Sequence, residues 1–544
     1  MPSIETSSHR ALNCFDILHL IFQHLSIPPY SNENREERLL IRGTLASSAR
    51  VCRAFSEHAL DVLWESLDAS SRDILPALKL LPPFLVVWIP LEDLPSAVEQ
   101  TYLLLGKISP CDWARFQYYS RRVRRIEYSA GTTLQARSYI LEVLFRHNQQ
   151  KALFPFLKHL SWEQFLASDR SILTLVTPSL RTLSIGLFRH PEKRPPEDSK
   201  IFKSLLVSVS RATSNLRYFD LFGAPLPARL RLAVASWRQL QTLVINCDYL
   251  TLRLLRELST LEHLVELRVN VWNGFRVVDV STWGGLTRLQ KLTLRGIAKS
   301  MLQYMPALVC ASLHTLIISV SECGDLDDYQ NCIPIFTLVS SKCMMLREVE
   351  LTIARTLQMP FLSLIGPLTS LHLLEKMTVT ISDASCIVDA DISDLATAWP
   401  ALQEFIFFVE RIGRAQSISP RALVEFARRC PNLRKLHLPR VAFGSEALLP
   451  AETYLGITAP GVHAFVPNFN RRCRLRVKDP VHIARFIGCL FPNFNTIDAM
   501  ARERRMVPHV DGETEWAQVL HLLAMSQANR EQQIGADNNV NVHV

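Results

Sequence analysis

A six-residue phrase returns along this chain from residue 180 onward: a leucine, two variable residues, an apolar residue, one variable residue and a second apolar residue. It reads Leu180, Leu183, Ile185; Leu216, Phe219, Leu221; Leu240, Leu243, Ile245; Leu264, Leu267, Val269; and Leu289, Leu292, Leu294. It continues as Leu313, Leu316, Ile318; Leu346, Val349, Leu351; Leu374, Met377, Val379; Leu402, Phe405, Phe407; and Leu433, Leu436, Leu438. Successive first leucines lie 36, 24, 24, 25, 24, 33, 28, 28 and 31 residues apart. Within each phrase the last two apolar residues are two apart, and a strand sends alternate side chains to opposite faces, so both point the same way. Leu243 and Ile245 therefore turn inward, while Thr242, Val244 and Asn246 turn outward. The remaining roughly 18 residues of each unit must carry the chain back to begin the next parallel strand, and such crossovers are usually helical.

The stretch from Ser419 to Leu438 shows both halves of a unit. Pro420 suits a first helical turn, Leu423, Phe426 and Ala427 make an apolar stripe, and Cys430 and Pro431 lead into the strand. One unit cannot bury its apolar face alone, so neighbours must stack and share ladder hydrogen bonds. A period in the twenties carrying this phrase is the signature of a leucine-rich-repeat solenoid. The expected fold class is α/β, with one long parallel sheet and helices on its other side. Weaker units begin the array at Val123, Ile126, Tyr128 and at Leu157, Leu160, Trp162, and another is expected to close it at Phe494, Ile497, Ala499.

The same alternation names the outward side chains. They are Tyr218, Asp220 and Phe222; Thr242, Val244 and Asn246; Glu266, Arg268 and Asn270; Lys291, Thr293 and Arg295; Glu348 and Glu350; Lys376; Glu404, Ile406 and Phe408; and Lys435 and His437. Rungs of a sheet are about 4.8 Å apart, which sets a basic zone at Arg268, Lys291 and Arg295 some two to three rungs from an acidic one at Glu348 and Glu350. Such a face suits a protein target that presents both charges, with Phe222 and Phe408 as apolar anchors.

Composition narrows the class of protein. Hydrophobic residues make up 48% of the 544 and charged residues 20%, which supports a sizeable folded core. Met1 to Arg10 is polar, and the longest apolar run, Leu80 to Leu91, is broken by Pro82, Pro83 and Pro90, so neither a secretory segment nor a membrane span is expected. The twelve cysteines are scattered without close pairs, which argues against zinc and for buried free thiols in a reducing cytoplasm or nucleus. A net charge of +9 is modest for this length. Arg471, Arg472, Arg474, Arg476 and Lys478 alternate with Cys473, Leu475 and Val477 as the solvated face of an edge strand would. Arg121, Arg122, Arg124 and Arg125, beside Trp113, Phe116, Tyr118 and Tyr119, read as a first strand with basic outward residues in preference to a base-stacking surface.

Residues 11–67 carry a different periodicity. Asn13 followed by Asp16 has the form of a helix N-cap with an acid three residues on, and Phe15, Leu18, Phe22 and Leu25 recur at helical spacing with Ile17 and Ile21 beside them. Pro28 and Pro29 end this helix. A second is expected from Arg38 through Leu45 to Val51, and a third, capped by Ser56, carries Ala59, Leu60, Leu63, Trp64 and Leu67. Three short helices with more apolar residues than one small bundle can bury imply a partner surface.

The string Leu12, Phe15, Asp16, Ile17, Leu18, Ile21, Phe22, Leu25, then Val51, Cys52, Arg53, Ala54, Phe55, then Ala59, Leu63 and Trp64, resembles an F-box. It departs from the family's pattern in Asn13, where a proline is usual, and in a longer, more charged connection from Ser26 to Gly43. The whole chain resembles F-box proteins with C-terminal leucine-rich repeats, including the many in mushroom-forming fungi. The resemblance implies the substrate-recognition subunit of an SCF-type cullin-RING ubiquitin ligase, in which the F-box docks a Skp-family adaptor linked to a cullin and a RING subunit and the repeats hold the target protein. By it, Leu12, Phe15, Ile17, Leu18, Ile21, Phe22 and Leu25 are candidates for adaptor contact or for the F-box's own core, and the sequence does not divide them between the two roles.

No catalytic pattern competes with this reading. The 18 glycines form no phosphate-cradling loop, neither a metalloprotease pair of histidines nor a nucleophile elbow is present, and the clusters Asp389, Asp391, Asp394 and Asp325, Asp327, Asp328 lack the spacing of a calcium loop. The expectation is a non-enzyme with no cofactor and no metal, no membrane and no nucleic acid among its partners. The domain order expected is an F-box-like module at 11–67, a helical or irregular connector at 68–115, a solenoid at 116–500, a C-terminal cap at 501–526 and a disordered tail at 527–544. The alternative is an interaction scaffold unconnected with ubiquitin, built on the same repeats.

Overall fold

A computed structural model describes residues 14–26, 35–67, 74–91, 94–128, 134–164, 166–187, 196–223, 230–247, 252–271, 286–321, 328–357, 359–384, 387–411, 418–443, 454, 456–467, 477–506 and 514–540. The chain divides into two compact units, Met1–Cys247 with Arg256–Leu264, and Asp248–Leu255 with Val265–Val544.

The first unit opens with helices α1 (Phe15–His24), α2 (Arg35–Ser48) and α3 (Arg53–Glu65). Leu18 and Phe22 of α1, Leu45 of α2, and Ala59 and Val62 of α3 form their shared core, with Leu25, Ile41, Phe55 and Leu63 packed at its margin. The third helix starts at Arg53 with Cys52 as its N-cap, one turn ahead of the Ser56 cap expected from sequence. It runs directly into β1 (Ser66–Leu67), which pairs in parallel with β4 (Arg125–Tyr128). β5 (His159–Gln164), β6 (Thr182–Leu187), β7 (Tyr218–Phe222) and β8 (Thr242–Cys247) follow, each parallel to the one before. Ile126, Leu160, Leu183, Phe219 and Leu243 sit opposite one another in this register, all fully buried.

The second unit holds β9 (Glu266–Val271), β10 (Lys291–Gly296), β11 (Thr315–Val320), β12 (Glu348–Leu357), β13 (Lys376–Ala384), β14 (Glu404–Arg411), β15 (Lys435–His437) and β16 (Ala464–Val466), again all parallel and in chain order. Leu267, Leu292, Leu316, Val349, Met377, Phe405, Leu436 and Phe465 make its buried column. Parallel strands separated by helical crossovers, with one leucine-rich phrase per strand, are the leucine-rich-repeat architecture. Side chains just ahead of the strands tie repeats together, since Ser179 Oγ donates to Leu157 O at 2.9 Å, Ser312 Oγ to Leu289 O at 2.9 Å and Cys343 Sγ to Cys310 O at 3.1 Å.

Five segments differ from the sequence reading. Between residues 68 and 115 lies an antiparallel pair, β2 (Phe84–Leu91) and β3 (Leu94–Leu104), whose branched and aromatic residues favour strand over the helical or irregular connector expected; Pro90 sits where the register shifts. Strands β1 and β16 carry too little of the phrase to be read from it. Phe494, Ile497 and Ala499 do not close the sheet, because Asn495 Oδ1 accepts from Asp498 N at 3.0 Å and starts helix α7 (Thr496–Met506), leaving Ile497 78% exposed. The tail expected to be disordered from 527 continues α8 (Glu515–Val540), in which Gln527 Nε2 donates to Phe494 O at 2.8 Å and the good helix formers that follow extend the run. The remaining helices that matter below are α4 (Pro110–Ser120), α5 (Arg421–Arg429, with Pro420 as its N-cap) and α6 (Pro480–Leu490).

Candidate docking surfaces

The amphipathic pattern of α1 resolves into two faces. Leu18 and Phe22 are buried in the bundle and Leu25 lines its margin, so these three act in the core, whereas Phe15 (67% exposed), Ile17 and Ile21 stand on the surface. Leu12 lies outside the described residues. Leu20, Leu39, Leu40 and Val51 are exposed as well and are not among the docking candidates named from sequence, because spacing within one helix cannot say which of two apolar stripes meets the neighbouring helix. On α2 and the turn after it, Leu39, Leu40, Gly43, Thr44, Ser47 and Val51 line an open groove of about 570 Å³. A helical bundle this small that leaves seven large apolar residues in water presents a surface fit for an apolar partner.

That bundle is fastened to the first repeat. Arg122, nearly buried in the turn after α4, forms ion pairs with Glu57 and Asp61 of α3 and donates to Glu57 O at 3.2 Å, while Tyr118 Oη donates to Glu57 Oε1 at 2.7 Å. The hydrogen bond from Arg122 is the main cause that holds the Glu57 carboxyl below its ordinary range. Arg122 is thus an internal clamp and not one of the outward basic residues expected of a first strand. Trp64 of α3 packs on Tyr119 of α4 with ring centroids 4.6 Å apart. The basic run 471–476 lies outside the described residues, and of its neighbours only Val477 and Lys478 are described.

The second candidate is the outward strand face. Phe222, in the first unit, lies over Gly186, where a Cβ would meet its ring at 2.1 Å. The other six candidates belong to the second unit. Glu266, on the rung beside Lys291, pairs with Arg268 at 2.8 Å and with Lys291 at 3.4 Å. Burial pushes the Glu266 carboxyl up, but the hydrogen bond and charge of Arg268, with Lys291, outweigh it and hold the group below its ordinary value. Glu348 pairs with Lys376 at 3.3 Å, and Lys376 reaches Glu404 at 3.8 Å; Glu348 is the main cause that raises the Lys376 pKa. The register sets Glu266, Lys291, Thr315, Glu348, Lys376, Glu404 and Lys435 on successive rungs. The separate basic and acidic zones expected from sequence are therefore one row of alternating charge, largely neutralised within itself. Arg295 and Glu350 remain exposed, and Phe408 is half-buried. His437, expected to face outward, is only 4% exposed, and burial first, then Lys435 and Arg502, pushes its imidazole down to about 3.

Among the described residues no three His, Cys, Asp or Glu side chains group as metal ligands, and no helix is long and apolar enough to cross a membrane. No family model matches the chain, and no curated protein does. Among solved structures it is similar to one described as the crystal structure of a Rad7 and Elc1 complex in yeast, at 15% identity and a TM-score of 0.33, over 66% of this chain and 81% of that one.

Proposed function

We propose that this chain is a non-catalytic receptor: an F-box module at residues 11–67 docks a Skp-family adaptor of an SCF-type cullin-RING ubiquitin ligase, and the leucine-rich repeats hold the protein to be ubiquitinated. The observation that carries the reading is the exposed apolar surface of Phe15, Ile17, Leu20, Ile21, Leu39 and Leu40 on a bundle whose core is already complete without them. Such a receptor contributes proximity, since holding a target beside a charged ubiquitin carrier raises its effective concentration. Target contact falls to the outward strand residues, where Phe222, Arg295, Glu350 and Phe408 offer more than the internally paired Arg268, Lys291 and Glu348.

The test is co-purification of the full chain with a Skp-family adaptor. Replacing Ile21 and Leu40 with Glu should abolish the complex and leave the melting temperature unchanged, because both side chains are in water already. Undiminished binding by that variant would remove these helices as the docking site, and an intact chain that recovers no adaptor would favour the scaffold reading.

A further inference from the structure

The residue just ahead of each of the four strands β4 to β7 of the first unit is a cation, whereas Glu65 precedes β1 and Gln241 precedes β8. Arg124, Lys158, Arg181 and Arg217 occupy equivalent positions before β4, β5, β6 and β7, and backbone bonds link them in series: Lys158 N donates to Arg124 O at 2.8 Å, Arg181 N to Lys158 O at 2.8 Å and Arg217 N to Arg181 O at 2.8 Å. They thus form one column with a cation every 4.8 Å or so, about 14 Å long. Lys158, Arg181 and Arg217 are exposed and make no ion pair with any described residue. The equivalent positions of the second unit are mixed and paired: Arg347 bonds Glu375 at 2.7 Å, and Gln403 bonds the same carboxylate at 3.2 Å. The second unit mixes charges along this column, whereas the first sets four consecutive cations between Glu65 at one end and Gln241 at the other.

We infer that the Arg124–Lys158–Arg181–Arg217 column is a docking surface for an acidic, extended segment of a partner protein. Its length matches about five residues of extended chain at roughly 3.3 Å each. Arginine forks favour carboxylates and phosphorylated side chains, which accept two parallel hydrogen bonds. Phe156, 51% exposed beside the column, supplies an apolar contact, with the Arg124 guanidinium 5.2 Å from its ring centroid. Nucleic acid fits less well, because stacked bases require a platform of exposed aromatic rings, and among the described residues Phe156, half covered, is the ring shown against a cation of the column. His159 lies beside these cations; burial first, then Arg125, Lys158 and Arg181, lowers its pKa. The inference does not depend on whether the N-terminal helices bind an adaptor.

The experiment uses the full chain and fluorescence anisotropy with a labelled glutamate-rich peptide, its all-glutamine counterpart and oligothymidylate. The glutamate peptide should bind, with affinity that falls as salt rises, and the glutamine peptide should not. Arg181→Glu with Arg217→Glu should weaken binding about tenfold or more, while Lys342→Glu with Arg421→Glu, the same change of charge on exposed sites elsewhere, should leave it unaltered. Saturating peptide should raise the His159 pKa followed by NMR. Equal losses in the two double variants, an unmoved His159 titration, or tighter binding of oligothymidylate than of the glutamate peptide would each overturn the assignment.

Discussion

Gly296 ends β10 at a φ of +133°, and a Cβ built there would lie 1.8 Å from the carbonyl oxygen of Val271 on the neighbouring strand. Ordinary contact needs some 1.6 Å more, and the obstacle is backbone, which cannot swing aside as a side chain can. In Gly296→Ala the Val271 carbonyl must retreat, which breaks the bond it accepts from Ile297 N at 3.1 Å at the start of the helix Ala298–Leu308. Losing that bond costs about 1 kcal/mol, and holding an L-residue at this φ about 1–3 kcal/mol. The total expected is thus about 2–4 kcal/mol. A chain of two units need not unfold in one step, so the measurement is native-state hydrogen exchange of β9 and β10. Exchange through local opening should accelerate about thirty- to several-hundred-fold. Gly366→Ala is the control, since nothing lies within 4 Å of its added carbon and its φ of −46° is ordinary; it should be neutral or stabilising by up to about 1 kcal/mol. If Gly296→Ala exchanges like the native chain, the close approach of the two strands is wrong.

Truncating Leu267 to Ala, in the buried column of the second unit, should cost about 2–5 kcal/mol by urea titration, whereas a change near zero would place that side chain outside the core. His437 should make the second unit acid-sensitive. Its folded pKa of about 3 lies below the ordinary 6.5, so the stability tied to its neutral form is complete above pH 6.5 and is lost as pH falls through the window down to 3. About 2 kcal/mol should disappear between pH 6.5 and 5, and His437→Gln should flatten that slope in denaturation curves. Cys52 and Cys111 are exposed, while burial raises Cys343 and Cys430 to about 12 and Cys332 still further. Brief alkylation at neutral pH followed by mass spectrometry should therefore label the first two and spare the other three, and early labelling of Cys430 would contradict its burial.

The repeat phrase carried most of the fold because its signal is redundant. Each strand needs only the spacing of two inward residues, and every strand from β6 to β14 contains that pair. Where a strand is two or three residues long, as in β1 and β16, no periodicity remains to be counted. The α1 stripe shows a different limit. Phe15, Leu18, Ile21 and Phe22 are alike in hydrophobicity, and only the position of Ala59 and Val62 on α3 decides which of them are covered. Charge was legible residue by residue but not in sum. Glu266 and Lys376 reverse the meaning of their neighbours only once the register lays them on adjacent rungs. The column ahead of the strands is not legible from the alternation, because its residues fall just outside the alternating positions.

Strand β1 lies within the segment that would be cut away to separate the N-terminal helices from the repeats. Deleting residues up to 67 would bare the edge of β4 at Arg125 and Ile126, which β1 pairs, and strand Arg122 without Glu57 and Asp61. A naked parallel edge of that kind templates pairing with other chains. The truncated protein would self-associate, and its failure in any recruitment assay would report aggregation instead of a missing partner. Point substitutions on the water-facing side of α1 and α2 are accordingly the informative way to take one end of this molecule away from the other.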